Sequence, residues 1–119
     1  MPTPDGGVAH AEFMIGNTLL CISDEASDWH AYALPEGKMA SCLFAINTDD
    51  CDKAFSRAVA AGAKPLFQPQ DFLGKRIGVL CDPFGYRWSI RQHVEDMSPE
   101  EMGRRLRAMF ANGLAPFSK

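Results

Sequence analysis

Arg87, Ser89 and Arg91 alternate with Tyr86, Trp88 and Ile90. This period of two places two guanidiniums and a hydroxyl on one face of a half-buried strand and the aromatic and aliphatic side chains on the other. Arginines withdrawn from water need anionic or hydrogen-bonding partners. A small acidic ligand would supply them, and so would Asp or Glu side chains from a second copy of the chain. Asn47 and Ala45 are expected on the same face of a neighbouring strand, with Arg76 approaching from an adjacent turn. Asn47, Arg76, Arg87, Ser89 and Arg91 therefore form the candidate ligand-binding set, and no residue is singled out as catalytic.

Other chemistry-bearing residues have simpler readings. His10 and Glu12 share one strand face and could hold a metal or relay a proton, but a solvated or ion-paired pair is the expected arrangement. His30 sits in a polar stretch beside Trp29 and Tyr32, where it could border a pocket mouth or simply face water. His93 and Glu95 lie where a strand frays, and contact with the following helix is expected. Cys21, Cys42, Cys51 and Cys81 contain no Cys-x-x-Cys pair, which argues against a structural zinc site. All four are expected inside strands or a helix as small apolar residues, in a reduced, cytoplasmic setting.

The chain has 119 residues, 46% of them hydrophobic and 23% charged, with a net charge of −3. That size fits one domain, and the acidic balance argues against nucleic acid as a partner. Arg104, Arg105 and Arg107 do cluster, but Glu100 and Glu101 beside them indicate a solvated helix face. No run is long and apolar enough for a membrane span, and no signal-like segment opens the chain.

The elements that must position these residues can be read in order. Strands are predicted over 8–15 and 18–23, joined at Gly16-Asn17 as a hairpin, followed by a long polar loop over 24–39. A third strand covers 40–47, and Thr48-Asp49-Asp50 caps a helix that runs to about Ala61 and stops at Gly62. Strands follow at 64–68, 76–81 and 86–93, with 69–74 read as a loop and Asp82-Pro83-Phe84-Gly85 as a tight turn. Ser98, Pro99 and Glu101 mark the start of a last helix over 98–112, with a capping box and an apolar stripe of Met102, Leu106, Met109 and Phe110.

Strand, helix and three strands, preceded by a strand pair, resemble the vicinal oxygen chelate superfamily, which includes glyoxalase I, bleomycin-resistance proteins and extradiol dioxygenases. The chain is similar to its PhnB-like branch through His10-Ala11-Glu12, Ile15-Gly16, Ser23-Asp24-Glu25, Ala58-Val59-Ala60-Ala61-Gly62-Ala63 and Gly74-Lys75-Arg76-Ile77-Gly78. Asp82-Pro83-Phe84-Gly85-Tyr86-Arg87-Trp88, His93-Val94-Glu95-Asp96 and Ser98-Pro99-Glu100-Glu101-Met102 extend the likeness. The resemblance implies an α+β fold in a single domain over 1–119. It comprises a partial first module of two strands (8–39), a complete βαβββ module (40–93) and a C-terminal helix (98–112).

The family builds its sheet from two such modules, so the shortened first one implies a homodimer, with exchanged strands as one way of completing the sheet. Metal-dependent members carry one His or Glu on each of four strands. The first of those strands is missing here, and the other three positions fall near Cys21, Leu43 and Ser89. That set implies no family metal site and no cofactor. Three readings follow. The favoured one is a protein that binds a small molecule, in the manner of bleomycin-resistance proteins. The others are a divalent-metal-dependent lyase, isomerase or dioxygenase, and a shortened member acting through protein association.

Overall fold

The computed structural model describes residues 1–113. It divides into two compact units, Met1–Pro35 and the part that begins at Glu36. In the first unit, β1 (Ala11–Ile15) and β2 (Thr18–Ile22) form an antiparallel hairpin. The two-residue turn at Gly16-Asn17 fixes the register, so that Glu12 lies opposite Cys21 and Met14 opposite Leu19. The lead-in to the hairpin is held by local contacts. The Met1 amine donates to the His10 carbonyl at 2.6 Å, and Asp24 exchanges hydrogen bonds with the Val8 backbone through its Oδ2 and its N–H.

The second unit is a βαβββ module. It contains β3 (Leu43–Asn47), α1 (Cys51–Ala60), β4 (Lys64–Phe72), β5 (Lys75–Cys81) and β6 (Arg87–His93), followed by α2 (Pro99–Ala111). Its four-stranded sheet runs β3-β6-β5-β4, with β3 parallel to β6 and the other pairs antiparallel. The α+β architecture is the one the sequence implies.

One expectation fails within this sheet. The segment 69–74 is not a loop, because β4 continues through Pro65 and Pro69 to Phe72. It does so by shifting register twice against β5. Proline lacks the N–H that a ladder needs and is accommodated at sheet edges and bulges, and β4 is an edge strand.

The main buried cluster lies on one face of the sheet. Cys51, Phe55, Leu80 and Ile90 are buried together, with Ile46, Ala58, Val59 and Trp88 packed around them. Asp50 caps α1 by accepting from the Lys53 N–H at 3.0 Å, and Gln92 of β6 accepts from the Cys51 N–H at 2.9 Å. Helix and sheet approach so closely that a Cβ on Gly78 would stand 2.7 Å from the Phe55 ring and 3.1 Å from Pro69. Glycine is therefore required there for space.

The capping box of α2 is only half formed. Ser98 Oγ accepts from the Glu101 N–H at 3.1 Å, while the Glu101 carboxylate turns to Arg104 and Arg105 at 2.6 and 2.8 Å. The apolar stripe of α2 is not sealed, and Phe110 is 61% exposed. The cysteines also divide. Cys51 and Cys81 are buried as expected, whereas Cys21 and Cys42 are exposed, because Cys21 points off a two-stranded hairpin and Cys42 precedes β3.

Two outcomes follow from these contacts. Gly78→Ala should lower unfolding stability by about 1–3 kcal/mol, measured by urea denaturation, because the added methyl overpacks the Phe55 contact. Hydrogen bonds from Arg104 and then Arg105 lower the Glu101 pKa from 4.5 to about 2. A depressed carboxylate pKa stabilises the fold above its unfolded value. The helical circular-dichroism signal of α2 should therefore decline as pH falls from about 4.5 towards 2, and Glu101→Gln should remove that component.

Candidate functional site

The face of the sheet opposite α1 carries an open cleft of about 380 Å³, within the range of small-molecule sites. Period two decides what reaches it. On β6, Trp88 and Ile90 face α1, so Arg87, Ser89 and Arg91 face the cleft. On β5, Leu80 packs in the core, so Lys75, Ile77 and Val79 face the cleft. Phe67 and Phe72 of β4 complete an apolar wall with Leu43 of β3 and Met102 of α2. Three cations and no carboxylate line the space among the described residues.

The arginines are not equally occupied. Arg91 Nε donates to Ser89 Oγ at 3.0 Å, and Ser89 is almost fully buried. Arg87 Nη2 donates to the Ser41 carbonyl at 3.0 Å. Arg87 Nε is buried and has no hydrogen-bond partner among the described residues. An unpaired buried donor on a cationic group is costly to leave unfilled, and an oxygen acceptor would relieve it.

The Asp82-Pro83-Phe84-Gly85 turn aims this strand. Asp82 Oδ1 accepts from the Phe84 and Tyr86 N–H groups at 2.9 and 3.0 Å, and Oδ2 accepts from Trp88 Nε1 at 2.9 Å. Gly85 supplies the φ of +94° that closes the turn. The Trp88 indole also stacks near Phe44, with ring centroids 4.8 Å apart. With Trp88 fixed, its neighbours on β6 have no freedom of face.

The five residues read from the sequence thus separate. Arg87, Ser89 and Arg91 come together in the cleft. Asn47 lies opposite Arg91 in the β3–β6 register, on the same strand face but exposed and outside the cleft lining. Arg76 does not approach the cleft. It neighbours Ile77 in β5 and so falls on the helix side, where Nε binds both oxygens of Asp52 at 3.0–3.1 Å and Nη1 binds Asp71 at 3.2 Å. These partners, Asp71 first, raise its pKa further. Lys75, Phe67 and Phe72 were missed. Lys75 follows from alternation with Ile77 and Val79, whereas Phe72 lies in the 69–74 segment that Pro69 makes look like a loop.

The remaining candidates are placed as follows. His10 Nε2 pairs with Glu12 Oε1 at 2.9 Å. Cys21, opposite Glu12, brings its sulfur so near that all three donor atoms lie within 4.8 Å of one another. His30 is exposed with a left-handed backbone, φ 58°. His93 pairs with Asp96 at 2.9 Å, and Glu95 reaches Arg105 of α2 at 3.0 Å. Cys51 donates to the Ile90 carbonyl at 3.3 Å, and burial pushes its thiol pKa up, which marks it as structural rather than reactive.

The cleft does not fit the metal chemistry of the metal-dependent members of the resembled family. Leu43 offers no donor atom, and Ser89 Oγ is already engaged by a guanidinium. A metal cation would also have to sit among Lys75, Arg87 and Arg91, which repel it. No metal-dependent step is therefore assigned to this cleft.

Comparison with known proteins bears on this geometry. The family model described as "Glyoxalase/Bleomycin resistance protein/Dioxygenase superfamily" matches residues 2–90. The chain is 30% identical over 106 residues to an uncharacterized protein of Mycobacterium bovis, covering 86% of this chain and 70% of that one. It is equally identical to an uncharacterized protein of Mycobacterium tuberculosis, of which it spans 62%. Among solved structures it is similar to a glyoxalase/bleomycin resistance protein/dioxygenase from Nocardioides. There the TM-score is 0.58 and the identity 21%, covering 76% of this chain and 66% of that one. It is also similar to TioX from Micromonospora, with TM-score 0.58 and 23% identity over 79% of this chain and 76% of that one. No helix among the described residues is long and apolar enough to cross a membrane.

The Asp82 contacts carry a direct test. Asp82→Ala removes the acceptor of three hydrogen bonds and should cost about 2 kcal/mol or more in urea unfolding. The tryptophan emission of the native state should shift as Trp88 loses its partner, which a Trp29→Phe background isolates.

Proposed function

Since the chain belongs to the glyoxalase/bleomycin resistance protein/dioxygenase superfamily, we propose that it binds a small organic anion in the β4–β5–β6 cleft without a metal there. The observation that supports this most is the buried Arg87 Nε, unpartnered among the described residues, in a space lined by three cations. A carboxylate or similar oxyanion would bridge Arg87 and Arg91. The apolar wall of Phe67, Phe72, Ile77, Val79 and Leu43 would hold a hydrophobic or aromatic body. The reading is that of a binding member rather than a catalyst, since among the described residues the cleft lining has no carboxylate, histidine or cysteine, and the Ser89 hydroxyl is engaged by Arg91. The PhnB-like motifs quoted above support reading it as a member of that branch. A homodimer is the proposed working form, because Phe110 of α2 and Leu43 at the cleft margin are left open to water.

Isothermal titration against aliphatic and aromatic carboxylates and phosphates, each beside its neutral ester or amide, tests this. At least one anion should bind where its neutral counterpart does not. Arg87→Met or Arg91→Met should weaken it by about tenfold or more, and Arg76→Met should leave it unchanged. Equal binding of acid and ester, or no binder in the panel, would remove the reading.

A further inference from the structure

We propose that His10, Glu12 and Cys21 form a binding site for a zinc-type divalent cation on one face of the β1–β2 hairpin. The site lies within the first unit. Its three side chains offer one nitrogen, one oxygen and one sulfur donor, all within 4.8 Å of one another. The arrangement follows from the chain itself. A two-residue turn at Gly16-Asn17 sets Glu12 directly across from Cys21, and His10, two residues before Glu12, shares its strand face.

The geometry is close to what such an ion requires. With zinc–nitrogen and zinc–oxygen distances of about 2.0–2.2 Å and zinc–sulfur near 2.3 Å, donors in a tetrahedral site stand roughly 3.3–3.6 Å apart. His10 Nε2 and Glu12 Oε1 already meet at 2.9 Å, a contact an ion would open slightly as it enters between them. The Cys21 sulfur closes the remaining distance by side-chain rotation, and both Glu12 and Cys21 are exposed enough to rotate.

The backbone beneath is fixed. His10 is tied to Met1 through its carbonyl at 2.6 Å and its N–H at 3.4 Å, and Val8 is tied to Asp24. Preorganisation of the backbone lowers the ordering cost of binding.

Donor chemistry selects the ion. A thiolate and an imidazole favour zinc and its neighbours in the first transition row, while magnesium and calcium prefer all-oxygen sets. The thiol proton leaves to solvent as the metal–sulfur bond forms. Three protein ligands leave a fourth position for water, the open arrangement of non-structural zinc sites.

The test uses the reduced 119-residue chain. Zinc affinity is measured by competition with a chromophoric chelator, and cobalt substitution reports sulfur coordination through its thiolate-to-metal charge-transfer band. One equivalent should bind, with that band present. Cys21→Ser should abolish the band. His10→Ala and Glu12→Gln should each weaken binding about tenfold or more, while Cys42→Ser leaves band and affinity intact. X-ray absorption of the unmutated zinc-loaded chain, which does not depend on any variant folding, should show one sulfur with nitrogen and oxygen neighbours. A shell without sulfur, a band that survives Cys21→Ser, or affinity unchanged by all three substitutions would overturn the proposal.

Discussion

Trp88 cannot enter the core without sending Arg87 and Ser89 the other way. This alternation along β6 governs the second unit, because β6 lies between β3 and β5 and touches both faces of the sheet. On one side Trp88 and Ile90 meet α1, Leu80 and Phe55. On the other, Arg87 and Arg91 share the cleft lining with Ile77 and Val79. Slipping β6 by one residue would bury two arginines against α1 and expose an indole. The energetic penalty of that slip is what makes the cleft chemistry reproducible. Asp82 reinforces the choice before the strand begins, by holding the Trp88 indole and two turn N–H groups at once.

The helix side is organised around close approach. Gly78 lets Phe55 lie against the sheet, and Cys51 fills the space beneath the helix start while its backbone N–H is satisfied by Gln92. The Arg76 clamp on Asp52 and Asp71 links the first turn of α1 to β4 and β5. These partners leave Arg76 no reason to seek a ligand. The contrast with Arg87 is instructive, since both arginines come from the same half-buried sheet. One has its charge answered on its own side, and the other keeps a buried donor unfilled.

Much of this was legible in the residues, for identifiable reasons. Periodicity separated Arg87, Ser89 and Arg91 from Trp88 and Ile90, because a strand offers only two faces. Asp50, Ser98 and Pro99 marked helix starts, since their side-chain oxygens and missing N–H answer the unpaired groups there. Arg76 stands at the first position of the strand predicted over 76–81 and is expected to approach from the adjacent turn, whereas alternation with Ile77 sends it to the helix side. Phe72 is obscured by Pro69, whose usual meaning in a strand is interruption. The approach of Cys21 to His10 and Glu12 required pairing two strands across a turn. Periodicity within one strand does not reveal such a pairing, although the Gly16-Asn17 turn fixes it by simple counting.

Pro65 and Pro69 have a consequence for the outer rim of the second unit's sheet. Each lacks an N–H, so β4 presents an interrupted row of donors to anything approaching from outside. The two register shifts twist that rim further from a flat template. The opposite rim, Leu43–Asn47, contains no proline, so none of the N–H groups that point away from β6 is missing. The sheet therefore has a polarity of growth: an incoming strand meets a blunted margin on the β4 side and a continuous one on the β3 side.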